Sequence, residues 1–140
     1  MIRELVTDEE ILSRPCERVE AEDPELVQDL IDTLAATEEG CCIAANQIGV
    51  TKAVCVYLDE SDETPHVMYN PKILLGLGPD YQIEGCLTRE EPTRVKRFKK
   101  VKVSYDEPVD GELKPRKRNY TGWTAQMVQH MVDHCHGKLV

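Results

Sequence analysis

The residues richest in chemistry lie near the end of this 140-residue sequence, in "QHMVDHCHG" (129–137). His130 and His134 form an H-x-x-x-H pair, so on a helix turning about 100° per residue they share one face, about 40° apart. Two imidazoles so placed are half of a divalent metal site. A catalytic zinc-type centre takes three protein ligands and leaves a fourth position open. In the zinc hydrolase pattern H-E-x-x-H, the residue after the first histidine is a glutamate that moves protons. Here it is Met131, a thioether that neither donates nor takes a proton. Alone, the pair is equally compatible with structural histidines, so a third ligand decides. Cys86, in "IEGCLT" (83–88), is the candidate: one thiolate and two imidazoles suit a borderline metal.

Counting around the same helix sets Trp123, Gln126 and Met127 on the histidine face, with Ala125, Val128, Val132 and Cys135 on an opposite apolar stripe that belongs in a core. Met131 and Asp133 flank the histidine face on its two sides. A carboxylate at 131 would reach a metal-activated water, whereas Asp133 leaves the helix from the other side.

The elements that must position these groups can be read locally. "DPELVQDLIDTL" (23–34) predicts a first helix, with Asp23 as N-cap, Pro24 at the first helical position and Leu26, Leu30 and Leu34 on one stripe. "AVCVYL" (53–58) and "HVMYNPKILL" (66–75) predict strands, the second turned or bent by its Asn-Pro. "KVKVSYD" alternates with period two, and Asp110-Gly111 predicts a hairpin turn into "ELKPRKRNY". A second helix runs from Trp123 to about Cys135, closed by Gly137. Helix, mostly antiparallel strands, helix is an α+β arrangement in a single domain over 1–140.

Composition narrows the class. With 41% hydrophobic residues a globular core is expected, and a formal net charge of −9 disfavours nucleic acid and anionic membrane as partners. The basic run "RVKRFKKVK" (94–102) is expected to be the solvated side of a strand, with Val95, Val101 and Val103 inward. "MIRELVTDEE" has no apolar signal core, no run approaches a membrane span, and the six cysteines are irregularly spaced, so a cytoplasmic protein with mostly reduced thiols is expected. Cys55, in an apolar run, reads as packing.

Three motifs together carry a resemblance. "GCCIAANQIGV" (40–50), "EGCL" (84–87) and "QHMVDH" (129–134) resemble, in order and approximate separation, the peptide deformylase signatures G-φ-G-φ-A-A-x-Q, E-G-C-φ-S and H-E-φ-D-H, where φ is apolar. "LVTDEEILSRP", "DLIDTL", "VKVSYDE" and "GWTAQMVQH" are similar to further family segments, so nearly the whole chain is covered. The resemblance implies antiparallel sheets packed around a C-terminal metal-binding helix, with an N-terminal helix. It implies one divalent metal, Fe(II) or Zn(II) with Ni or Co as substitutes, held by Cys86, His130 and His134. The activity implied is hydrolysis of the formyl group of N-formyl-methionyl peptides, with Gln47 and the backbone N–H of Leu87 stabilising the oxyanion. Glu84 and Arg97 match family positions as well, and an ion pair between them is expected.

The departures matter equally. Met131 stands at the family's glutamate, Cys42 at its second motif glycine next to Cys41, and Thr88 at its usual serine. Gln82, Trp123 and Gln126 occupy positions the family gives to aliphatic residues lining the pocket for the methionine side chain. Two function classes follow. One is a metalloprotein of deformylase fold with weak or lost deformylation, binding an N-terminal peptide or peptide-like ligand. The other is an active peptide deformylase with a substitute proton carrier, for which Asp133, Glu84 and Glu90 are the nominees. A metal-free relic ranks last, because all three ligand types are present, and a methionine engineered at 131 would leave the pocket changes unaccounted for.

Overall fold

The Asp110–Gly111 turn holds positive φ at both residues, 53° and 81°, the pair of left-handed conformations that a two-residue hairpin of right-twisted strands requires. It joins β4 (Arg89–Val109) to β5 (Glu112–Thr121), with Val109 opposite Glu112. The computed structural model describes residues 1–38 and 40–140. The strands β1 (Cys42–Ala44), β2 (Val54–Leu58), β3 (Pro65–Cys86), β4 and β5 form one sheet in sequence order, every neighbour antiparallel. Pro115 sits on β5, an outer strand of the order, where a missing N–H is tolerated.

Two helices explain why β2 is apolar throughout. On one face Cys55 and Tyr57 pack with Met68, Val101, Val103 and the stripe Ala125, Val128, Val132 and Cys135 of α3 (Gly122–Cys135). On the other, Val54 and Val56 pack with Leu26, Leu30 and Leu34 of α2 (Pro24–Ala35). Burial on both faces removes the usual alternation. Asp23 caps α2 by accepting from the Leu26 N–H at 3.2 Å, and Pro24 opens it.

Two local expectations change. A short helix α1 (Glu9–Leu12) precedes α2, capped by Asp8, which accepts from the Glu10 N–H; one turn leaves little periodic signal. Asn70-Pro71 bends the chain, as expected, within a strand that continues past it. Asn70 takes φ 52°, donates its N–H to the Ala53 carbonyl and bridges Val19 and Asp106 with its side chain, so β3 bends through a register shift and resumes at Lys72. β3 then continues to Cys86, through Gly76, Gly78 and Pro79, residues that argue against a strand by propensity. Gly76 is required there, since a Cβ would stand 2.5 Å from the Phe98 ring. The basic run lies on β4 with Val101 and Val103 buried, Val95 half-buried and its lysines exposed, except that Arg97 turns inward. No helix among the described residues is long and apolar enough to cross a membrane.

α3 ends where Gly137 adopts φ 76°, against the backbone of Ser13–Pro15. A Cβ at this position would lie 2.6 Å from the Ser13 carbonyl oxygen and 2.8 Å from the Pro15 nitrogen. Gly137→Ala should therefore lower unfolding free energy by about 1–3 kcal/mol, the range for forced backbone strain. Denaturant titration at fixed metal content measures this, and an unchanged midpoint would show that the contact yields freely.

Candidate metal centre

The long β3–β4 hairpin brings Cys86 to α3. Cys86 closes β3 opposite Arg89, with Leu87 and Thr88 as the turn. Its Sγ stands 3.4 Å from His134 Nε2, which lies 3.0 Å from His130 Nε2. The three donor atoms lie within 4.8 Å of one another, with His130 and His134 only 6% and 2% exposed. Ligand atoms around a tetrahedral ion with bonds of about 2.0–2.3 Å are about 3.3–3.7 Å apart, so the set needs only small adjustments to close on one. The two Nε2 atoms face each other at 3.0 Å, so at most one of them carries a hydrogen in that gap. The residues fit a divalent metal on these grounds.

The surroundings orient the ligands. His130 Nδ1 donates to Glu84 Oε1 at 2.9 Å, which fixes the tautomer and leaves Nε2 for coordination. Arg97 grips Glu84 with two parallel hydrogen bonds of 2.9 and 2.8 Å, and reaches Asp133 Oδ2 on α3 at 2.7 Å with its remaining nitrogen. The expected Glu84–Arg97 pair is thus present, 7% and 6% exposed. Its extension to His130 and Asp133 left no mark on the sequence. Neither did Gln129, whose amide takes the Phe98 N–H and returns a hydrogen bond to the Phe98 carbonyl, both at 2.9 Å, pinning α3 to β4.

Charge follows from this arrangement. Burial raises the Glu84 carboxyl, but hydrogen bonds from His130 and Arg97 outweigh it and hold the group at about 2. Burial likewise raises the Cys86 thiol, and the two histidines bring it down to about 5. His130 is lowered by burial and lifted by Cys86 and Glu84 to about 9.

Gln47 is buried in the short 3-10 helix Ala45–Ile48 that follows β1. Its Oε1 accepts from the Ala44 N–H at 2.9 Å, so its Nε2 is turned to the site, 3.4 Å from Cys86 Sγ and 3.2 Å from Thr88 Oγ1. Leu87 is half-buried in the turn and lines a separate depression with Thr7, Glu9 and Glu90.

Beside the trio opens a cleft of about 120 Å³ lined by Cys41, Cys42, Ile83, Glu84, Gly85, Trp123, Gln126, Met127 and His130. Against the roughly 300–1,000 Å³ of pockets that enclose drug-sized ligands, it suits a side chain or a chain end. Gln82 is not among its lining residues. It borders the adjoining hollow with Asp80, Arg97, Phe98 and Lys99, and Ile83, next along the strand, takes the cleft position. Met131 does not line the cleft either. It is 1% exposed within the apolar cluster of α3 and the sheet. Of the nominated proton carriers, Glu84 and Asp133 are committed to Arg97, and Glu90 is exposed in the depression beside Leu87.

The chain matches the family model for polypeptide deformylase over residues 2–140. It is 35% identical to the peptide deformylase of Clostridium beijerinckii over 141 residues, covering 100% of both chains. Among solved structures, a peptide deformylase from Legionella pneumophila superposes with TM-score 0.85 at 32% identity, over 99% of this chain and 83% of that one. A peptide deformylase from Synechococcus elongatus, solved in complex with actinonin, gives TM-score 0.83 at 29% identity, over 97% of this chain and 76% of that one.

Arg97→Met should cost about 3–5 kcal/mol, because it strands two carboxylates that one guanidinium serves. The pH dependence has a definite sign. A carboxyl held below its ordinary value stabilises the fold at pH above about 4.5 and loses that contribution as pH falls toward about 2. Stability curves of parent and Glu84→Gln should therefore converge across that acid window. A gap independent of pH would contradict the ionised network.

Proposed function

Because the chain belongs to the polypeptide deformylase family, whose members are metallohydrolases, we propose that it holds one divalent ion on Cys86, His130 and His134 and binds an N-terminal peptide or peptide-like ligand in the adjoining cleft, with weak or lost deformylation. The carrying observation is the apolar burial of Met131, at 1% exposure, where the family mechanism places its proton carrier.

Cys86, His130 and His134 would hold a divalent ion, iron or zinc with nickel or cobalt as substitutes, which would supply Lewis-acid chemistry toward a carbonyl and water. The chain's own residues supply the rest. Gln47, with its amide oxygen tied to Ala44, presents an N–H to an oxygen gaining negative charge, and the Leu87 N–H at the hairpin turn is the second donor. Cys41, Cys42, Trp123 and Gln126 contact the ligand's side chain, with Trp123 at the partly exposed mouth. Proton transfer is the missing part. A methionine cannot take a proton from water or hand one to a leaving amine. Glu84, held at about 2, is too weak a base to replace it, and its oxygens already accept from Arg97 and His130.

Protein prepared anaerobically with iron or zinc should carry about one metal per chain, and Cys86→Ala and His134→Ala should each release it. The loaded parent should hydrolyse formyl-methionyl peptides poorly and bind a hydroxamate bearing a butyl side chain only above the micromolar range, since Trp123 and Gln126 alter the side-chain pocket. Metal retained in Cys86→Ala would overturn the ligand set. Submicromolar hydroxamate affinity would show the pocket intact.

A further inference from the structure

Two thiols in the cleft are not needed for metal binding or for the oxyanion. Cys42 opens β1 and Cys41 directly precedes it, in a segment where successive side chains ordinarily point to opposite faces. Both nevertheless line the same cleft, half-buried, with their sulfurs 3.9 Å apart. Neither is disulfide-bonded.

Geometry decides what such a pair can do. Adjacent Cα atoms across a trans peptide are about 3.8 Å apart, short of the roughly 4.4–6.8 Å that a disulfide spans. The backbone is also held in place: the Cys41 carbonyl accepts from the Leu58 N–H at 2.8 Å, and Cys42 pairs with Tyr57. Oxidation to a ring between neighbours would have to distort that ladder. An atom that bonds to both sulfurs needs only a small closure of the existing gap, by rotation about the two Cα–Cβ bonds. Soft, polarisable thiols select soft, thiophilic centres, and Ile83, Trp123 and Met127 line an apolar side of the cleft.

We propose that Cys41 and Cys42 form a chelating dithiol site for trivalent arsenicals, aryl arsenicals above all, and that its occupation fills the cleft. With an aryl arsenoxide two As–S bonds form, two S–H bonds break, and the oxygen leaves as water with both thiol protons. Arsenic stays trivalent and no oxidant is needed. Of the other cysteines, Cys55 and Cys135 stand close together but are buried in the core, and Cys16 and Cys86 each offer one accessible sulfur, which monothiols reverse.

The test treats the metal-loaded chain with one equivalent of phenylarsine oxide and reads intact mass, fragment masses and metal content. The expected result is one adduct per chain, mapped to the fragment holding residues 41 and 42. It should survive excess glutathione, be removed by dimercaptopropanol, and leave the metal in place. Cys42→Gly and Cys41→Ser should each reduce glutathione-resistant adduct at least tenfold, while Cys16→Ser should not. Failure of the parent to form a glutathione-resistant adduct overturns the site. So does mapping to Cys86 with release of the metal, or persistence of the adduct in both substituted chains. Fragment mapping on the parent holds even where a variant fails to fold.

Discussion

One guanidinium organises this molecule. Arg97, turned inward from a basic run whose other cationic side chains are exposed, holds Glu84 with two hydrogen bonds and Asp133 with a third. Glu84 belongs to β3, Arg97 to β4 and Asp133 to α3, so the network ties the hairpin to the helix at the level where Cys86 meets the histidines. Burying charged groups is expensive, and the arrangement persists because every guanidinium nitrogen of Arg97 and both carboxylate oxygens of Glu84 have partners. Remove the arginine, and two carboxylates remain in a space built for ion pairs.

The same network sets the chemistry of the centre. Glu84, kept ionised, accepts a hydrogen bond from His130 Nδ1–H and leaves Nε2 facing His134 and Cys86. Gln129 adds a neutral tie between α3 and β4, and Asn46 donates to the His134 carbonyl at 2.9 Å, fixing the helix end. Such outer contacts orient ligands and raise their basicity. The donor set is preorganised by hydrogen bonds that do not themselves touch an ion.

Local features of the fold were legible in the residues. The Asp23-Pro24 helix start, the Asp110-Gly111 hairpin and the two faces of α3 follow from capping, turn chemistry and the 3.6-residue period, all of which act over a few positions. The extent of β3 was not legible, since Gly76, Gly78 and Pro79 weaken the strand signal and only pairing with β4 sustains it. At the site, ligand types could be read, but the approach of Cys86 to His134, 48 positions away, came from motif resemblance. Gln82 shows a further limit: strand position alone could not tell which hollow it borders, and Ile83 takes the cleft instead. Met131 is the informative exception. The helical count put it beside the histidine face, and packing drew it wholly into the core.

On the proposed reading, position 131 separates binding from turnover. That reading keeps the ligand trio, the oriented Gln47 amide and the cleft, and removes proton transfer, which a positioned acid–base group makes worth about two to four powers of ten in rate. A glutamate here would sit near a cation that favours its ionised form. The most direct measurement is formyl-peptide hydrolysis by the parent and Met131→Glu at equal metal occupancy. The account predicts little turnover by the parent and a rise of about two to four powers of ten in the variant, within the limit set by the altered pocket. A parent already turning over at rates typical of enzymes, or a metal-holding variant that gains nothing, would contradict it.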